Sequence, residues 1–122
     1  MGITTAGLEH LPLLIAYGGG GTVFRYLCTD SSSTAFAVGQ TAAISENTGS
    51  GSDRAAATID VATSKTAKFS KTWTLSGSKT VNAVCLLNNS SGGTMLSRDV
   101  LGTTRSLVSG DSYTATVSIV FA

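Results

Sequence analysis

The stretch Ser109-Gly110-Asp111-Ser112-Tyr113-Thr114-Ala115-Thr116-Val117-Ser118-Ile119-Val120-Phe121-Ala122 decides the fold class. Ser-Gly-Asp is a turn. After it, Tyr113, Ala115, Val117, Ile119 and Phe121 alternate with Ser112, Thr114, Thr116 and Ser118, and only Val120 breaks the pattern. Side chains of a strand point to opposite faces with a period of two. The stretch therefore predicts a half-buried strand with five apolar groups on one face and hydroxyls on the other.

Working back from it, the chain predicts further antiparallel strands. Arg54–Thr63 sets Ala57, Ile59 and Val61 on one face, and Ser64-Lys65 is a turn. Ala67–Leu75 sets Phe69, Trp73 and Leu75 together, with Lys71 as the exception among them. After Gly77-Ser78, the segment Thr80–Leu87 aligns Val81, Ala83, Cys85 and Leu87. Asn88–Gly93 is a strong turn signal; Thr94–Leu101 and Arg105–Val108 follow as two strands. Earlier, Thr22–Thr29 is apolar on both faces and suits a strand covered on both sides. Strands at this spacing, joined by Gly/Ser/Asn turns, predict a mainly β chain: an antiparallel β-sandwich, jelly-roll or immunoglobulin-like, with at most one or two short helices.

Residues 1–21 stand apart as an N-terminal arm or short helix, and 22–122 as a single sandwich domain. Over Met1–Ala16 the leucines suit one helix face, but Pro12 argues against a continuous helix, so an extended arm is equally open. Gly18–Gly21 reads as a hinge; it runs into Thr22-Val23 and lacks the Gly-Lys-Ser/Thr ending of a phosphate loop. Asp30–Ser33 is loop, Thr34–Glu46 is open to a short helix, and Asn47–Asp53 should be the most flexible, exposed loop.

Composition narrows the function classes. The chain has 122 residues, enough for one domain without a metal or disulfide. Charged residues make up 12%, about half the globular average, and the net charge is +1. Without clustered Lys and Arg there is no nucleic-acid footprint. Leu11–Tyr17 is too short to span a bilayer, and with acidic Glu9 before it and no basic region it is not a secretory signal of the usual kind. A charge-poor surface suits a protein packed into an assembly better than a free monomer.

No catalytic, cofactor-binding or metal-ligating residue is predicted. His10 is the only histidine, no Gly-x-Ser-x-Gly occurs, and the acids Glu9, Asp30, Glu46, Asp53, Asp60, Asp99 and Asp111 are scattered, most at turns where carboxylates cap backbone amides. Trp73 and Tyr113 fall on the core face; Tyr17 and Tyr26 are the other aromatics able to stack on sugars. Asn88 and Asn89 match the glycosylation pattern, a cheap match in so Asn/Ser-rich a turn. Cys28 and Cys85 have no metal-site spacing and read as small core hydrophobes.

From Arg54 onward the order of motifs is Lys71-Thr72-Trp73-Thr74-Leu75-Ser76-Gly77, Val81-Asn82-Ala83-Val84-Cys85-Leu86-Leu87-Asn88, Gly92-Gly93-Thr94-Met95-Leu96-Ser97-Arg98 and Val108-Ser109-Gly110-Asp111-Ser112-Tyr113. Together with a Thr-x-Ala-Gly-Leu stretch ending in Thr5-Ala6-Gly7-Leu8, this resembles a group of small virion structural proteins of tailed bacteriophages. One departure is Val84-Cys85-Leu86, where the group often carries an acidic residue and a glycine.

The resemblance implies a non-enzymatic protein of the virion, assembled in the host cytoplasm. Its foremost implied role is capsid decoration (cement), bridging subunits of the major capsid protein or other virion proteins as a homo-oligomer, with a trimer favoured. It implies no cofactor, nucleic acid or membrane, and an arm over the first residues that orders on binding. The alternative is a tail-tip or fibre module that binds a host receptor or glycan through the end loops Asn47–Asp53 and Asn88–Gly93. A reducing cytoplasm further implies free thiols at Cys28 and Cys85. A bond between them would need neighbouring strands and α-carbons about 4.4–6.8 Å apart.

Overall fold

Residues 66–74 and 112–120 run antiparallel over nine consecutive pairs, from Thr66 opposite Val120 to Thr74 opposite Ser112. This ladder is the spine of the smaller of two sheets in the computed structural model, which describes residues 2–7, 23–60 and 66–120. In chain order the strands are β1 (Gly2–Ile3), β2 (Tyr26–Asp30), β3 (Ala55–Ala56), β4 (Thr58–Asp60), β5 (Thr66–Thr74), β6 (Lys79–Leu87), β7 (Met95–Leu107) and β8 (Ser112–Val120). They form a five-stranded sheet, β1-β7-β6-β2-β3, and a three-stranded sheet, β4-β5-β8. Every pairing is antiparallel, and the fold is a β-sandwich.

The β5–β8 pair follows the alternation in its sequence. Phe69, Trp73, Ala115, Val117 and Ile119 are buried, and Tyr113 packs against them. On the outer face Ser and Thr meet across the ladder: Ser70 with Thr116 at 3.3 Å, Thr72 with Thr114 at 2.7 Å, Thr74 with Ser112 at 3.4 Å. Such cross-strand hydroxyl pairs stabilise by roughly 0.2–1 kcal/mol each, and less when exposed to water. The turn into β8 is closed by the Val108 N–H, which donates to Asp111 Oδ2 at 2.8 Å, and by Gly110 in the left-handed region at φ 92°.

The larger sheet is buried on both faces. Leu27, Val84, Leu86 and Leu96 point into the inter-sheet core. Their strand neighbours Cys28, Cys85, Leu87 and Met95 form a second apolar cluster, with Ala43 against it. Residues 31–46 cover this outer face. The two-sided apolar pattern around Cys28 has the covering it predicted, although β2 begins at Tyr26 and includes Asp30.

Several expectations are corrected. On β6, Val84 and Leu86 enter the inter-sheet core, while Cys85 and Leu87 face the other way. The reason is a break in register at Asn82: Val81 lies opposite Arg105 and Ala83 opposite Val100, so residues 101–104 of β7 bow out opposite one residue. The two strands expected over 94–108 are one, Met95–Leu107, and the bow at 101–104 lies within it. The strand expected over 54–63 divides at buried Ala57 between the two sheets, and Ile59 is 42% exposed on the edge strand β4. Residues 34–46 contain turns and bends and no helix.

At the N-terminus, residues 2–7 are tied to the larger sheet. Gly2 and Ile3 pair with Arg98 and Ser97, and residues 5–7 make one helical turn. Thr4 is fully buried; its N–H donates to Leu96 O at 2.7 Å and its hydroxyl to Met95 O. Gly7 lies so close to β7 that a Cβ there would meet the Leu96 backbone. The expectations for residues 8–21, for the turn Ser64-Lys65, for Val61 and for Phe121 lie outside the described residues.

Candidate interaction surfaces

Between the sheets the void beside Trp73, Leu75 and Val81 measures about 10 Å³, no larger than one water. Three places stand out, two on the surface and one buried.

The first is the end of the sandwich where residues 46–54 meet residues 88–93. Arg54 ties them together. Its Nε and Nη2 donate to the two carboxylate oxygens of Glu46 at 3.1 and 2.6 Å. Its Nη1 donates to the carbonyl oxygens of Asn89 at 3.0 Å and Gly92 at 2.9 Å. This two-pronged geometry uses the planar guanidinium fully. The bond to Glu46 raises the Arg54 pKa against the opposing effect of burial. Arg54 is thus a structural clasp, and the groove of about 400 Å³ beside it offers Thr48, Asp53, Ser90 and Ser91. The loop expected to be the most flexible is anchored instead. Asn47 is buried and donates to Thr29 Oγ1 at 3.0 Å and Thr80 O at 2.8 Å. Gly49, Ser50 and Gly51 all take positive φ, and Asp53 caps the Gly49 N–H at 2.7 Å.

The second is an open groove of about 520 Å³ between the bowed part of β7 and the start of β8, where Leu101, Thr103, Arg105, Leu107, Tyr113 and Thr114 meet. Tyr113 stacks on Trp73 with ring centroids 6.3 Å apart, and the indole N–H donates to Asp53 O at 2.8 Å. Burial pushes the Tyr113 phenol up. The groove can hold polar groups by hydrogen bonds. Its residues include no nucleophile paired with a base.

The third is buried. Arg98 Nε donates to Asp30 Oδ2 at 3.1 Å, and both side chains are fully inaccessible. Arg98 also donates to Thr34 O at 2.6 Å and Ser32 O at 2.9 Å. Asp30 accepts the N–H groups of Ser32, Ile44 and Ser45 at 2.8–3.0 Å. Burial would push the Asp30 carboxyl up; these three amides and Arg98 outweigh it and hold the carboxyl below its usual range. The pair straps residues 31–45 onto the sheet. Next to it Cys28 and Cys85 are direct cross-strand partners, both buried and both free thiols. Their mutual hydrogen bond, and then burial, raise the Cys28 pKa, which makes the thiol unreactive.

The residues weighed for chemistry fall as follows. His10, Tyr17 and Glu9 lie outside the described residues. Asp30, Asp53 and Asp111 hold backbone amides and Glu46 holds Arg54. Among the described residues no group of three or more His, Cys, Asp or Glu could hold a metal. Asn88 is buried, and its side-chain oxygen accepts the Thr94 N–H at 2.7 Å.

No protein-family model and no curated protein sequence matches this chain. Sequence reasoning passed over Arg54, Arg98 and Asn47. In so charge-poor a chain, each arginine near apolar neighbours was the available signal, because a buried guanidinium requires a partner.

Proposed function

We propose that this chain is a non-enzymatic structural protein of a tailed-phage virion, acting in capsid decoration by bridging capsid subunits as a homo-oligomer, with a trimer favoured. The observation that carries the reading is the resemblance in motif order, whose glycines, Met95 and Arg98 each have a defined place in the sandwich. The outer face of β5 and β8 supports it. Its Ser and Thr hydroxyls and few charges suit a surface that meets a neighbour through many weak hydrogen bonds. Quantitative mass spectrometry of purified particles tests it. Hundreds of copies per particle are expected for decoration, and absence from the particle would overturn the virion reading.

One observation favours a second reading, a tail-tip or fibre module that binds a host-surface glycan. The loops 46–54 and 88–93, far apart in sequence, form one polar rim around Arg54. A handful of copies per particle, with binding on a glycan array that Ser90→Trp abolishes, would favour it over decoration.

A further inference from the structure

The two sheets end in edges of very different kinds. Among the described residues β1 and β3 are two residues long and β4 three, too short to template a neighbour. The outer side of β7 beyond Arg98 carries Asp99, Arg105 and the bow at 101–104, which interrupts any straight ladder. β8 has none of these protections. It is nine residues long, its ladder with β5 has no bulge, and it contains no proline and no charged residue. Among the described residues no strand pairs with its other side.

We propose that β8 is a self-association edge, pairing antiparallel with β8 of a second copy about a two-fold axis at Thr116. The occupant follows from the strand's own pattern. With Thr116 opposite Thr116, the pairs are Ala115–Val117, Thr114–Ser118, Tyr113–Ile119 and Ser112–Val120. Apolar residues then meet apolar residues on the core side. On the outer side hydroxyls meet hydroxyls at Thr116–Thr116 and Thr114–Ser118, as they already do between β5 and β8 at Ser70–Thr116 and Thr72–Thr114, and only the terminal pair Ser112–Val120 departs from this. No like charges are brought together, because the strand has none. This register uses the whole strand; a slip of one residue would set Thr116 against Val117 and oppose the two faces. The product is a continuous sheet β4-β5-β8-β8-β5-β4, two-fold and isologous. The inference concerns the isolated protein and does not rest on the virion reading.

The test is sedimentation of the purified chain over a range of concentrations, with two probes that each add one exposed cysteine to the buried Cys28 and Cys85. Wild type is expected to dimerise reversibly. Thr116→Cys is expected to cross-link between copies under mild oxidation, because directly opposite residues lie about 4.5–5.5 Å apart. Thr114→Cys is expected not to, because its copies would be four positions, about 13 Å, apart. Both sites are exposed, so the fold should tolerate either change. Thr116→Lys sets two ammonium groups opposite each other and is expected to raise the dimer dissociation constant at least tenfold with an unchanged circular dichroism spectrum. A wild-type chain that stays monomeric throughout overturns the proposal, and so does cross-linking at 114 as efficient as at 116.

Discussion

Arg98→Met removes one half of a buried ion pair while keeping much of the side-chain volume. The consequence can be worked from the contacts. Asp30 keeps its three backbone N–H donors but loses its counter-charge, and the carbonyl oxygens of Ser32 and Thr34 lose their donor in a region closed to water. Breaking a buried pair from one side costs about 3–5 kcal/mol. The surviving amides should keep the cost near the lower figure, about 3 kcal/mol, a large share of the roughly 5–15 kcal/mol that holds such a domain together. Urea unfolding followed by tryptophan fluorescence measures this, since Trp73 is buried. Arg105→Met, at an exposed position, is the control and should fall within about 0.5 kcal/mol of wild type. Adding Asp30→Asn to Arg98→Met should recover part of the loss, because the stranded charge is gone. The pH dependence carries a sign. The Asp30 carboxyl is held below its unfolded value of about 3.9, so its stabilisation is complete above that pH and is lost as pH falls through the lowered folded value. Asp30→Asn should therefore flatten the acid limb of the stability curve by up to about 1.4 kcal/mol per pH unit. If Arg98→Met unfolds within 1 kcal/mol of wild type on this order-of-magnitude scale, the strap is not holding residues 31–45 and the argument fails.

Gly51→Ala combines a φ of 79° with a Cβ that would run into Thr74 O, and should cost at least about 1–3 kcal/mol in thermal or urea unfolding, whereas Gly102→Ala meets open space and should cost far less. Deleting residues 2–7 should lower the thermal midpoint, because it uncovers Leu96 and Met95 and removes the buried Thr4 bonds; an unchanged midpoint would return these residues to the status of a free arm. Cys28 and Cys85 should resist alkylation in the native protein and react together on unfolding, and intact mass before and after reductant should agree; a two-proton mass difference, about 2 Da, would show that the cross-strand thiols had bonded.

β8 and β5 were legible because each has one apolar and one polar face, which is the condition under which a period of two carries information. β6 was harder. Val84, Cys85, Leu86 and Leu87 are apolar without interruption, so the sequence could not say which set faces which layer, and nothing at Asn82 announces the register break. The segment 54–60 alternates well, yet its two halves belong to different sheets, a choice made by what Arg25 O and Phe69 leave unpaired and not by local pattern. Asp30 looked like the first residue of a polar loop, as Asp before three serines usually is. Its burial depends on Arg98, sixty-eight positions away, and on amides fourteen and fifteen residues on. Of the candidate surfaces, the two end loops were named in advance, whereas their joining by Arg54 needs coordinates, because a guanidinium's acceptors there are main-chain oxygens that any residue supplies.

The pairing order has a consequence during synthesis. β5 carries Phe69 and Trp73, and the strand that completes its sheet is β8, made only after β6 and β7 have been added. β1 likewise waits for β7. A ribosome delivers the chain from its N-terminal end at about 5–20 residues per second, so for seconds the nascent polypeptide displays a nine-residue apolar-faced strand with one side unpaired and only the short β4 on the other. That interval is when identical nascent chains on one messenger would trade strands.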